Sequence, residues 1–88
     1  MTNIKVFSKA GCPHCDTAKA LLAQHGYTYE EVRIDLDETA RSYLLAEGHR
    51  SVPQVYVNET LLVNGGVAAL KEMTTKQIAT RIREINGN

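Results

Sequence analysis

Net charge is the first thing this 88-residue sequence lacks: ten lysines and arginines are matched by ten aspartates and glutamates. No overall field steers the chain to nucleic acid or to an acidic membrane, so neither is an expected partner. Long apolar runs are also missing. None reaches the roughly 20 residues that span a bilayer, and the start MTNIKVFSK has no apolar segment followed by a small-residue cleavage site. A cytoplasmic location without a membrane is the expectation. There is no repeat, low-complexity tract or Pro/Gly/Ser-rich linker, and one core must serve the whole length, so residues 1–88 are expected to form a single monomeric domain. Cysteine is scarce, with only Cys12 and Cys15 present. They close too small a loop to staple a secreted fold, and in a reducing compartment such a pair does chemistry or holds metal.

What is present reads as alternating strands and helices. Ile4 to Phe7 is β-prone and leads into a loop, Ser8 to Gly11. A helix follows from Pro13, with Ala18, Ala20, Leu21 and Leu22 at helical spacing and Gly26 as its stop. Tyr27 to Asp35 alternates as a second strand. Asp37 caps a helix over about Glu38 to Glu47, whose apolar face is Ala40, Tyr43, Leu44 and Leu45, with Gly48 ending it. Gln54–Val57 and Leu61–Val63 form a hairpin across Asn58-Glu59-Thr60. A short helix, Val67 to Glu72, precedes a last one capped by Thr74 and striped by Ile78, Ile82 and Ile85. The order β-α-β-α-β-β-α makes a parallel pair to which the hairpin adds two antiparallel strands. The expected fold is α/β, a four-stranded mixed sheet with helices on both faces.

Cys12-Pro13-His14-Cys15 falls where the first strand turns into a helix. Cys12 stands at or just before the first helical residue, where unpaired N–H groups and the positive end of the macrodipole favour thiolate over thiol. Cysteines so placed titrate between about 3.5 and 7.5, against about 8.5 for a free one. Pro13 suits the first turn because no hydrogen bond is required of it there. Cys15, one turn on and directed toward the helix body, is the resolving thiol. His14, when protonated, adds positive charge near the thiolates. His25 and His49 read as surface residues. A structural zinc site would need a second C-x-x-C or a His pair to complete four ligands, and neither exists. Two buried inert cysteines fit poorly with a polar junction containing Gly and Pro.

Three separated segments then resemble the glutaredoxin family of the thioredoxin superfamily: Ser8-Lys9-Ala10-Gly11-Cys12-Pro13-His14-Cys15, Ser51-Val52-Pro53-Gln54-Val55-Tyr56-Val57, and Gly65-Gly66 before a short helix. The resemblance covers essentially the whole chain and implies a thioredoxin-like fold. It implies that Pro53 is the family's cis-proline beside the cysteines, exposing the Val52 backbone to pair with a substrate's cysteine. By the same resemblance Lys9 meets the glycine carboxylate of glutathione, with Arg41 a second candidate there, and Gly66 and Val67 offer backbone N–H groups to its γ-glutamyl carboxylate. His14 and Ser51 complete the implied glutathione contacts. Read singly, Lys9 is an ordinary loop lysine, Pro53 a trans turn proline and Gly65-Gly66 a turn. Their order around a C-x-x-C helix terminus argues for the joint reading. Three positions depart from the family: His14 replaces the usual aromatic, Ser51 replaces Thr, and Ala68-Ala69 stand where an acid would grip the γ-glutamyl ammonium.

The implied activity is glutathione-dependent exchange, in which Cys12 attacks a protein disulfide or a glutathione mixed disulfide and Cys15 resolves the intermediate. Glutathione is expected as a co-substrate, with no bound cofactor and no metal. Disulfide-containing proteins are the expected partners. One alternative is a thioredoxin-like donor to ribonucleotide reductase, recharged by a reductase protein, which Ala68-Ala69 favours and Lys9 and Gly65-Gly66 oppose. Another is a metal or iron–sulfur module coordinated by Cys12, against which the rigid dithiol argues.

Overall fold

Strand β1 (Ile4–Ser8) divides the molecule, because alternate side chains leave opposite faces of the sheet. The computed structural model describes residues 2–87. In it Ile4 and Val6 enter one core cluster and Phe7 the other. Strand β2 (Glu30–Arg33) lies parallel to β1, β3 (Gln54–Val57) lies antiparallel on its other side, and β4 (Thr60–Leu61) pairs antiparallel with β3. The spatial order is β2-β1-β3-β4. Of the hairpin strands only β3 runs against β1; β4 returns to the direction of β1.

Helices α1 (Pro13–Gln24), α3 (Gly66–Glu72) and α4 (Thr75–Ile85) close the first face. Ala18 and Leu22 of α1, Leu70 of α3 and Ile78 of α4 pack there on Val6, Val55 and Val57. Each large aliphatic side chain so buried contributes about 1.5 to 3 kcal/mol. Helix α2 (Glu38–Ala46) covers the second face with Ala40 and Leu44. Its Tyr43 ring stacks on Phe7 at 5.8 Å and meets Tyr56 edge-on at 5.6 Å. The mixed sheet with helices on both faces is therefore the architecture expected from the pattern.

The helix ends follow their local chemistry. Asp37 accepts from the Ala40 N–H at 3.1 Å, and Thr74 and Gln77 form a reciprocal capping box. After α1, Gly26 takes a φ of 88°, which lets the Tyr27 N–H fold back onto the Leu22 carbonyl at 2.9 Å. That turn withdraws residues 27–29 from the expected second strand. At the other end, Ile34 donates to the Ser8 carbonyl and the chain turns over 34–36. In the hairpin both loop residues, Asn58 and Glu59, have positive φ (48° and 71°), so Thr60 belongs to β4. Strand β4 stops early because the Arg81 guanidinium donates to the carbonyls of Leu61 and Leu62, at 3.1 and 3.0 Å. Ala20 is exposed; the buried stripe of α1 is Cys15, Ala18 and Leu22. No helix among the described residues is long and apolar enough to cross a membrane.

Candidate active site

Cys12 is the N-cap of α1, with extended backbone angles (φ −112°, ψ 97°), and Pro13 follows in the first turn. The Cys12 carbonyl accepts from the N–H groups of Cys15 and Asp16, at 3.1 and 3.2 Å. Its Sγ accepts from the Cys15 N–H at 3.2 Å. A sulfur takes the place that a serine or aspartate oxygen holds at an ordinary N-cap, on the orphan donors of the first turn. The two cysteines are joined in a disulfide, with their Cα atoms 5.3 Å apart. Cys12 retains 9% of its surface and Cys15 only 1%, so an incoming group meets Cys12 first. His14 is exposed on the same turn.

The strand ends beneath this turn are pinned by two polar clusters. Ser8, with no exposed surface, donates from Oγ to Glu31 Oε2 at 2.6 Å. The same oxygen takes a hydrogen bond from Lys19 Nζ at 2.9 Å, and Lys19 also meets Asp16 at 3.3 Å. Lys19, and then Ser8, hold the Glu31 carboxyl below its ordinary range, while Glu31 raises Lys19 above its own. In the second cluster Arg33 forks onto Asp35 with contacts of 2.8 and 2.6 Å. The Arg33 hydrogen bond lowers the Asp35 carboxyl to about 2. Asp35 Oδ2 also accepts from the Ala10 N–H at 3.4 Å, tying the loop before Cys12 to the end of β2.

Four of the residues singled out in the sequence share one concavity of about 210 Å³: Lys9, Arg41, Ser51 and Val52. Lys9 and Arg41 also line its neighbour with Asp35 and Leu36. The Val52–Pro53 bond is cis, and Gln54 Nε2 donates to the Ser51 carbonyl at 3.0 Å. Gly66 and Val67 open α3. A Cβ placed on Gly66 would lie 3.9 Å from the Pro53 carbonyl oxygen, so α3 begins against Pro53. Gly66, Val67 and His14 are outside the lining of the concavity. Ala68 is exposed on the first turn of α3.

The family model for glutaredoxin matches residues 4–62, which include the dithiol, the cis-proline and the hairpin. The chain belongs to the glutaredoxin family. A glutaredoxin 3 of Escherichia coli K12 is 34% identical over 59 residues, covering 66% of this chain and 71% of that one. Glutaredoxin 1 of Rickettsia conorii is 32% identical over 73 residues, or 80% of this chain and 70% of its own. Among solved structures a wheat glutaredoxin is 27% identical with a TM-score of 0.71, covering 92% of this chain and 79% of that one. A buckwheat glutaredoxin–glutathione complex, 24% identical with a TM-score of 0.73 over 97% of this chain and 80% of that one, shares the fold. Family and cysteine pair together make this glutaredoxin a thiol–disulfide oxidoreductase.

One histidine takes another place in this glutaredoxin than the sequence suggested. His49 is half-buried, shares a 2.6 Å hydrogen bond with the Tyr56 hydroxyl and meets its ring edge-on. His25 stays at the surface, partly exposed and hydrogen-bonded to Thr75 Oγ1 at 2.6 Å. Ser8, which reads from the sequence as the first loop residue, closes β1; neither it nor Glu31, Arg33 and Asp35 is given a role of its own by the sequence. Ser8 is the polar exception at the end of an otherwise β-prone run; the other three look like ordinary surface charges until β2 is paired with β1. Among the described residues no group of three or more His, Cys, Asp or Glu is placed to hold a metal ion.

Proposed function

We propose that the chain is a glutathione-dependent reductase of protein disulfides and glutathione mixed disulfides, with Cys12 as nucleophile and Cys15 as resolving thiol. The observation that carries this reading is the unequal burial of two cysteines at one helix N-terminus, where the Cys15 N–H donates to Cys12 Sγ. In the reduced protein that N–H and the helix end favour the Cys12 thiolate.

The thiolate attacks one sulfur of the substrate disulfide, forming a Cys12–substrate bond and releasing the other sulfur as thiolate. Cys15, deprotonated, then attacks Cys12 Sγ; the Cys12–Cys15 bond forms and the substrate leaves as its second thiolate. One glutathione thiolate reopens the disulfide at Cys12, and a second attacks the resulting mixed disulfide. The net change is one protein disulfide and two glutathiones converted to a dithiol and oxidised glutathione, the two protons lost by the glutathione thiols being taken up by the substrate thiolates. Lys9 and Arg41 are the proposed partners of the glycine carboxylate, and Ser51 and Val52 of the tripeptide backbone. Gly66 and Val67 are the proposed partners of the γ-glutamyl carboxylate, with His14 at the rim. The shared concavity of Lys9, Arg41, Ser51 and Val52 supports those four contacts; those of Gly66, Val67 and His14 rest on the family resemblance alone. We place its action in the cytoplasm, where glutathione keeps thiols reduced.

A second reading, a thioredoxin-like donor recharged by a reductase protein and serving ribonucleotide reductase, is favoured by Ala68-Ala69, where no carboxylate is available for the γ-glutamyl ammonium. The test is to reduce insulin with the protein, recharged in one series by glutathione with glutathione reductase and in the other by thioredoxin reductase. Faster turnover with glutathione supports the first reading. Faster turnover with thioredoxin reductase overturns it for the second.

A further inference from the structure

The described chain exposes only three large hydrophobic side chains, and two of them, Leu36 (77% exposed) and Leu45 (57%), line the pair of concavities beside the dithiol loop. The concavities measure about 670 and about 210 Å³ and share Lys9, Ile34 and Arg41, so they form one groove between the turn after β2 and the loop after α2. Lys9, Arg41 and Arg50 bring three cations to it. None of them takes part in an ion pair among the described residues. Of the two carboxylates on the groove, Asp35 is already held by Arg33, which leaves Glu38.

This excess is local, since the whole chain is neutral. Carboxylates gather elsewhere: Glu30, Asp37 and Glu59, with Lys5, line a separate concavity over the Phe7, Tyr43 and Tyr56 rings. The proposed glutathione contacts use Lys9 and Arg41 but leave Leu36, Leu45 and Arg50 without an occupant. A tripeptide has no apolar side chain to cover two leucines.

We propose that this groove is a docking surface for protein disulfide substrates whose cysteine is flanked by acidic and apolar residues, the leucines taking the apolar side chains and Arg50, with Lys9 and Arg41, the carboxylates. The proposal rests on the thiol–disulfide reading above and extends it from the reacting sulfur to the choice of protein partner. Complementary charge of this kind acts on encounter and register and weakens with salt.

The experiment follows oxidation of chemically pre-reduced protein by synthetic peptides that carry one disulfide loop and differ only in its flanks: Asp-Asp-Leu, Lys-Lys-Leu or Asp-Asp-Ser. Hydroxyethyl disulfide serves as the small probe. At low salt the Asp-Asp-Leu peptide reacts about tenfold faster than the Lys-Lys-Leu peptide, and the ratio shrinks as salt is raised. Arg50→Glu removes most of that preference. Leu45→Ser lowers the rate with Asp-Asp-Leu about fivefold, from lost partial burial of one leucine, and has little effect with Asp-Asp-Ser. Both variants react normally with hydroxyethyl disulfide. Equal rates for the Asp-Asp-Leu and Lys-Lys-Leu peptides overturn the proposal, as does a loss in the variants that is equal for peptides and small probe. A dimer of the wild-type protein in sedimentation that Leu45→Ser dissolves would assign the groove to a second copy and also overturn it. Failure to oxidise with any probe, hydroxyethyl disulfide included, would instead remove the underlying thiol–disulfide reading, and the docking proposal with it.

Discussion

Replacing Glu31 by Ala separates the two hydrogen bonds that meet on its Oε2. Lys19, the outer partner at 2.9 Å, is partly exposed, and its ion pair contributes about 0.2 to 1 kcal/mol after solvent screening. The inner partner matters more. Ser8 has no exposed surface and its hydroxyl donates to Glu31 at 2.6 Å, so Glu31→Ala leaves a buried donor without its acceptor, at a cost of about 1 to 3 kcal/mol. The expected destabilisation is about 2 kcal/mol, or a fall in Tm of roughly 10 °C for a domain of this size. Removing the hydroxyl first changes the outcome. In a Ser8→Ala background only the Lys19 contact remains to be lost, and Glu31→Ala should cost about 0.2 to 1 kcal/mol. The chain has no tryptophan, so urea unfolding of the oxidised protein at neutral pH is followed by far-ultraviolet circular dichroism for both single variants and the double variant. A cost below about 0.5 kcal/mol for Glu31→Ala alone, or the same cost in both backgrounds, would refute the view that Glu31 satisfies a buried serine.

Two further predictions concern charge near the dithiol. Ala68→Asp should lower the Michaelis constant for glutathione by only a few-fold, since an exposed ion pair contributes roughly 0.2 to 1 kcal/mol, and the gain should fade with salt; an unchanged or raised constant at low salt would mean that residue 68 does not face the tripeptide. The Asp35 carboxyl, lowered by Arg33, should titrate at about 2 by carbon-13 NMR, and a midpoint near 3.8 would break the clamp on the loop before Cys12. Because the folded value is the depressed one, the stability it contributes is complete above the unfolded value and is lost as the pH falls from about 4 toward 2.

The dithiol, its helix and most of the frame were legible because their signals are local. A C-x-x-C with Pro after the first cysteine, Asp37 and Thr74 at helix starts, and the β-prone runs Ile4–Phe7 and Gln54–Val57 each act within a few residues. Strand ends were less legible. Residues 27–29 alternate like a strand, but Tyr27 is drawn into the cap of α1, and β4 is cut short by Arg81 from 20 residues away. The two-residue Asn58-Glu59 turn depends on a positive φ at a glutamate, which sequence preferences do not favour. The Ser8–Glu31–Lys19 chain joins β1, β2 and α1 and has no sequence signature, because only the parallel register that sets Ser8 opposite Arg33 brings Glu31 within reach. His49 looks like a surface residue in the sequence for the same reason: its Tyr56 partner stands across a loop on the adjacent strand.

Trapping the first covalent intermediate tests the central claim most directly. Cys15→Ser protein, pre-reduced and mixed with a glutathione mixed disulfide of a small peptide, should accumulate one adduct, and mass spectrometry of the digest should place it on Cys12. The variant should keep turning over glutathione mixed disulfides, where a second glutathione replaces the resolving thiol, and lose most reduction of intramolecular protein disulfides. Cys12→Ser should form no adduct and show no turnover. An adduct on Cys15 in the Cys12→Ser protein, forming as fast as the one on Cys12, would contradict the assignment of Cys12 as the nucleophile.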